Sequence, residues 1–243
     1  LAITDTLFGG GTPHISMLWA LETLAWDARW HLRVVRILAV LCRRTASPDR
    51  PARTVQNALS TLGWILDVRV PQTRASDEAI IAAAEILARE DPETAFDWAC
   101  QALCGEMRMV LGNARPRYGT PAPEFQEHGK AREGGFQMRL AAAERLAVEL
   151  AGRDGRKWAR LLKATSSPEE LLQKLEGLEG VTDETHALWV CLREACNEAS
   201  RRKGAEVSPR LQALCDRFAP DDAVERVSWL FAPHVKLPDF PHD

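Results

Sequence analysis

One tyrosine in 243 residues, and no run of strict apolar–polar alternation long enough for a strand, leave little material for a sheet. A half-buried strand needs that period of two. Six cysteines are too sparse for a disulfide scaffold, so a reducing cytoplasmic setting is expected. No apolar stretch approaches the ~20 residues that span a bilayer. The opening Leu-Ala-Ile-Thr-Asp has neither an initiator Met nor the basic segment of a secretory leader, and the chain reads as a piece of a longer protein. A net charge of −3 supplies no global positive field to recruit nucleic acid or acidic lipid.

Catalytic signatures are missing as well. The histidines at 14, 31, 128, 186, 234 and 242 are scattered, and neither His-Glu-x-x-His nor Gly-x-Ser-x-Gly occurs. Gly9-Gly10-Gly11 precedes a helix signal but lacks the Lys-Ser/Thr that completes a phosphate loop, and reads as a linker. Cys100-x-x-x-Cys104 and Cys191-x-x-x-x-Cys196 fall near zinc-ligand spacing, yet they lie on apolar helical faces where free Cys packs as a small hydrophobe. No enzyme activity, cofactor or metal is therefore expected.

What is present is helical. Ala, Leu, Arg and Glu dominate, and all four are strong helix formers. One phrase recurs three times: Ala20-Leu21-Glu22-Thr23-Leu24-Ala25, Ala83-Ala84-Glu85-Ile86-Leu87-Ala88 and Ala142-Ala143-Glu144-Arg145-Leu146-Ala147. Its glutamates are 63 and 59 residues apart, and a Trp-bearing apolar helix follows each copy, with Trp30, Trp98 and Trp158. Such a period marks stacked helical repeats.

Local signals place the helices. Thr12-Pro13 reads as a cap with Pro at the first helical position, and Asp27 caps a helix with Val34, Val35, Leu38, Leu41 and Cys42 on one face. Arg29, Arg33, Arg36, Arg43 and Arg44 lie mostly outside that stripe. A helix is predicted from about Arg53 to Val68, ended by Pro71; Ser76 caps the second copy, and Asp91-Pro92 stops that helix and starts the next. Ser167-Pro168-Glu169-Glu170 reads as a capping box with Ser167 as the cap. A helix from about Asp183 to Arg202 buries Leu188, Trp189, Leu192 and Cys196. Ser208-Pro209 begins another, and Pro220 begins the last.

Between Gly112 and Gly135 the helical pattern fails, in a Gly-rich stretch with three Pro that precludes a regular helix. Long loops of this kind are either functional or disordered. Within it Arg115, Arg117, Tyr118, His128, Lys130 and Arg132 form the candidate binding set, because Arg beside an aromatic can grip phosphate or stack on a base. Glu124, Glu127 and Glu133 dilute its charge. Arg201-Arg202-Lys203 with Arg210 is a second basic group, which the helix dipole at a helix end explains.

Leu18-Trp19-Ala20-Leu21-Glu22 with Leu24-Ala25-Trp26, Asn57-x-Leu59 leading to Pro71-Gln72-Thr73, and Trp229-Leu230-Phe231 with Leu237-Pro238 resemble phrases in the helical-repeat region of large bacterial STAND-NTPase-type anti-phage defence proteins. The resemblance implies a helical region beside an effector and an ATPase that senses a trigger. No ATPase signature is present here, so only the helical region's role carries over.

The expected fold is all-α, an irregular HEAT-like array of about ten to twelve helices. Its expected parts are N-terminal repeats at 1–111, a loop or insertion at 112–135, C-terminal repeats at 136–232 and an extended tail at 233–243. The expected function is a non-catalytic protein-recognition or scaffold segment of a larger intracellular bacterial protein, with a protein partner or sister domains as its ligand and no membrane role. Nucleic-acid binding through the 115–132 loop and an enzyme with a dispersed site are the alternatives.

Overall fold

A computed structural model describes residues 13–45, 57–104, 133–165, 168–178, 180–181, 185–201 and 207–228. The fold is all-α. Eleven helices are found among the described residues: α1 (Pro13–Ala25), α2 (Ala28–Thr45), α3 (Ala58–Ile65), α4 (Asp77–Glu90), α5 (Pro92–Leu103), α6 (Glu133–Ala151), α7 (Gly155–Ala164), α8 (Glu169–Glu176), α9 (Thr185–Arg201), α10 (Pro209–Arg217) and α11 (Ala223–Ser228). The chain divides into two compact units, residues 1–150 and 151–243. No described helix is long and apolar enough to cross a membrane.

In the first unit, α1 packs on α2 and α3, α4 on α5, and α2 bridges to α4 and α5. The helix starts follow from side-chain caps. Ser76 accepts from the Ala79 amide at 3.2 Å, and Asp91 both follows α4 and caps α5 by accepting from the Thr94 amide at 3.3 Å. Each satisfies one of the amides that a helix start leaves orphaned. α3 departs from the predicted span. Asn57 caps it in a reciprocal box with Ser60, so it starts at Ala58, while residues 53–56 lie outside the described set. It stops at Ile65, well before Pro71, because the Asp67 carboxylate accepts from the Arg69 and Val70 amides at 2.6 and 2.7 Å and draws the chain into a turn. The segment after that turn closes the end of α1. Thr73 Oγ1 donates to Ala25 O at 2.7 Å, and the Arg74 amide donates to Trp26 O at 3.1 Å.

α6 docks through a buried arginine. The Arg139 side chain is almost fully buried, pairs with Asp77, and donates through Nε to Val68 O at 3.0 Å and through Nη2 to Arg69 O at 3.4 Å. Helical residues begin at Glu133, so the last three positions of the predicted helix-free stretch belong to α6. Gly135 tolerates this. A Cβ there would run into the Asp77 carboxylate and the Arg139 guanidinium. The close approach it permits outweighs the ~1 kcal/mol that a helical Gly costs.

In the second unit α7 packs on α9, α9 on α10, and α10 on α8. Trp158, Leu161, Leu175 and Leu188 are among its fully buried side chains. Gly152, with φ of 51°, takes the left-handed turn after α6. Trp158 Nε1 donates to Gly152 O at 3.0 Å, so the large indole is buried with its polar atom satisfied. α8 starts at Glu169 with Pro168 before it; Ser167, the cap of the predicted box, lies outside the described residues. Arg217 reaches the open end of α8, donating to Glu176 O at 3.0 Å and Leu178 O at 2.6 Å. α11 begins at Ala223 rather than Pro220, because the Asp222 carboxylate accepts from the Val224 amide at 2.6 Å.

Candidate functional site

Arg115, Arg117, Tyr118, His128, Lys130 and Arg132 all lie outside the described residues. So do Arg202 and Lys203 of the second basic group, while its Arg210 is engaged by Glu169 at 2.5 Å and Glu176 at 2.9 Å.

Most of the described cysteines and His31 are buried, whereas His186 is exposed. Among the described residues no three His, Cys, Asp or Glu converge on a point where a metal could sit. Burial raises the Cys191 and Cys196 thiols to about 11, and raises Cys42 to about 12 with help from the Asp91 and Asp97 carboxylates. A thiolate is the nucleophilic form, so these groups are held in their inert state. Cys191 donates to Ala159 O at 3.5 Å across the α7–α9 contact. His31 on α2 is buried, and neither ring nitrogen has a hydrogen-bond partner. Burial lowers it to about 4, so its ring is neutral at neutral pH. The cleft beside Asp67, Arg69, Trp98 and Gln101 holds about 10 Å³, roughly the room for one water.

The feature that stands apart is on α1 and α2. Aligned on the repeated phrase, Met17, Ile80 and Arg139 are equivalent, as are Ala20, Ala83 and Ala142, and Leu24, Leu87 and Leu146. In α4 and α6 all of these positions are buried. In α1 all three face solvent: Leu24 is 46% exposed against 2% for Leu87 and 3% for Leu146. The buried stripe of α1 is Leu18, Leu21, Glu22 and Ala25, whereas that of α4 is Ile80, Ala83, Ala84 and Leu87. The two stripes have the same spacing but stand one phrase position apart, a rotation of about 100° about the helix axis. The rotation buries Glu22, whose Oε1 accepts from Thr61 Oγ1 at 3.1 Å.

The neighbouring helix continues the pattern. Trp30 is 40% exposed, while Trp98 and Trp158, after the other copies, are buried. α2 buries His31, Val34, Val35, Leu38 and Ala39, and turns Trp30, Arg33, Ile37, Val40 and Arg44 outward. The Arg33 guanidinium lies 5.2 Å from the centre of the Trp30 ring. Of the ten exposed large apolar side chains described, six (Met17, Trp19, Leu24, Trp30, Ile37 and Val40) fall on these two helices, so exposure is concentrated rather than scattered.

Periodicity alone could not show this surface, because an apolar helix with several fillable faces does not announce which one is covered. The usable signal was the spacing of 30, 33, 37, 40 and 44, which steps by three and four outside the core stripe. Compared with protein-family models, curated proteins and solved structures, the chain matches none.

Proposed function

We propose that the chain is a protein-recognition segment and that its contact surface is the outward side of α1 and α2. The observation that carries this reading is the one-residue rotation of the first copy, which brings Met17, Ala20 and Leu24 to solvent, while Trp30, Ile37 and Val40 of α2, the helix packed against it, are exposed as well. Exposed apolar side chains gathered together mark interaction sites more often than plain surface. Trp, Met and Arg are the residue types enriched at protein contacts. The helical scaffold supports the surface from behind, since the α1–α2 pair rests on α3 and α4. A sensing or tethering role within a larger bacterial defence protein is the setting in which we place this surface.

The test is a photo-crosslinking amino acid introduced singly at Met17, Leu24 and Ile37, with exposed Arg153 as the control position, in the protein expressed in its own cell. The reading expects discrete protein adducts at the three α1–α2 positions and none at Arg153. Adducts at Arg153 alone, or at none of the four, would remove it.

A further inference from the structure

We propose that the outward stripe of α2 docks one amphipathic helix of a partner protein, and that this helix is acidic. This rests on the recognition reading above and specifies the chemistry of its ligand.

The stripe consists of Trp30, Arg33, Ile37, Val40 and Arg44, all exposed. Their steps of three, four, three and four are the spacing with which one helix meets another along a shared seam. Over fourteen residues of rise the stripe is about 21 Å long, enough for a four-turn partner helix. One side of it is shut, because Val34 is core and Leu41 is half-buried. The other side carries Arg29, Arg36 and Arg43, which recur every seven residues. These three are already met by carboxylates of the same unit: Asp27 at 2.5 Å, Glu90 at 2.9 Å and Asp91 at 3.5 Å.

Within the stripe the situation is opposite. Arg33 and Arg44 have no carboxylate partner among the described residues; Arg33 leans on the Trp30 ring instead. A helix laid over the stripe would take both guanidinium groups out of water. An uncompensated buried charge is strongly unfavourable. The partner must therefore bring Asp or Glu to two points about 16 Å apart, the rise of eleven helical residues. Between those points it must be apolar, to cover Ile37 and Val40. A nucleic acid fits less well: phosphate would compete for flanking arginines that carboxylates already hold, and it offers nothing to Ile37 and Val40. A second copy of the chain would set arginine stripes of like charge together.

The measurement is fluorescence anisotropy of labelled helical peptides titrated with the whole chain. Two peptides share an apolar stripe of three-four spacing and differ at the positions that meet Arg33 and Arg44, which are Glu in one and Lys in the other. A single-stranded oligonucleotide of similar length is the third probe. The Glu peptide is expected to bind at least about tenfold more tightly than the Lys peptide. Ile37→Glu should weaken it by at least about tenfold, and the double change Arg33→Glu with Arg44→Glu should invert the preference. Circular dichroism of each variant, with Ile37→Ala as a milder replacement, separates lost binding from lost fold. Equal affinity for the two peptides, no detectable binding of the Glu peptide, or tighter binding of the oligonucleotide would overturn the proposal. If crosslinks form at Met17 and Leu24 while the peptides are not discriminated, the stripe assignment fails and the recognition reading stands. If no crosslinks form at any α1–α2 position, the recognition reading itself fails.

Discussion

Between α1 and α4 the same six-residue phrase is held in two registers, and α6 sides with α4. In α4 and α6 the phrase leucine, Leu87 or Leu146, enters the core; in α1 it is Leu24, which faces solvent. The glutamate trades places in the opposite sense: Glu22 is buried, whereas Glu85 and Glu144 are half-exposed. The phrase is thus a helix former with no fixed inward face. Its neighbours choose. α1 can bury a carboxylate because Thr61 of α3 supplies a hydroxyl to it, and Leu18 and Leu21 supply apolar bulk on the adjoining positions. In α6 the equivalent of Met17 and Ile80 is Arg139, and the inward face is kept because Asp77 and two backbone carbonyls answer its charge.

The largest expected break in the comparison is at Arg139. Arg139→Leu leaves Asp77 and the carbonyls of Val68 and Arg69 without their donor, and breaking a buried pair in this way costs about 3–5 kcal/mol. Urea unfolding should show that loss, and a midpoint unchanged from the parent would mean that α6 is not anchored as described. The register difference itself is tested by truncating one leucine at a time. Leu87→Ala and Leu146→Ala should each cost about 2–5 kcal/mol. Leu24→Ala should cost less than about 1 kcal/mol, because a half-exposed side chain leaves no cavity. Equal losses at the three positions would show that the copies share one register.

Acid should open the first helix pair before the second. The folded-state value of His31, about 4, lies below its ordinary 6.5, so the folded state binds fewer protons. Stability therefore falls as pH drops from about 6.5 towards 4, by up to about 3 kcal/mol. Hydrogen exchange at pH 5 should show α1 and α2 amides losing protection ahead of α4 and α5, and His31→Leu should abolish that order. Loss of protection in α4 and α5 first would point to another group. The buried glutamate gives a further test, through Thr61→Val. Removing the hydroxyl that serves the Glu22 carboxylate should cost about 1–3 kcal/mol by thermal melting, and an unchanged melting temperature would show that the carboxylate does not depend on it.

Much of the helical order was legible from residues that act locally. Ser76, Asp91 and Pro92 delimit α4 and α5 as their side chains predict, since a cap works through amides two or three residues away. Asn57 is an equally local signal, but the apolar spacing around it extends to Val55, so periodicity alone sets the start of α3 too early. The stop at Ile65 was hidden because Asp67 forms its turn with no Gly or Pro to mark it. What no local pattern contains is which face meets which neighbour. Trp30 and Trp98 both follow the phrase on apolar helices, yet only Trp98 is core. The burial of Arg139 was illegible for the same reason, since its partners lie 62 to 71 residues away.

That last separation has a consequence for how the polypeptide is made. Asp77 and the carbonyls of Val68 and Arg69 leave the ribosome 62 to 71 residues ahead of the side chain that answers them. At translation rates of about 5–20 residues per second, the interval is roughly 3 to 14 s. Throughout it, Asp77 and those two carbonyls are without the guanidinium that meets them in the finished fold. The nascent first unit therefore waits for its final helix, and a ribosome stalled before Gly135 would leave α1 to α4 without the side chain that closes them.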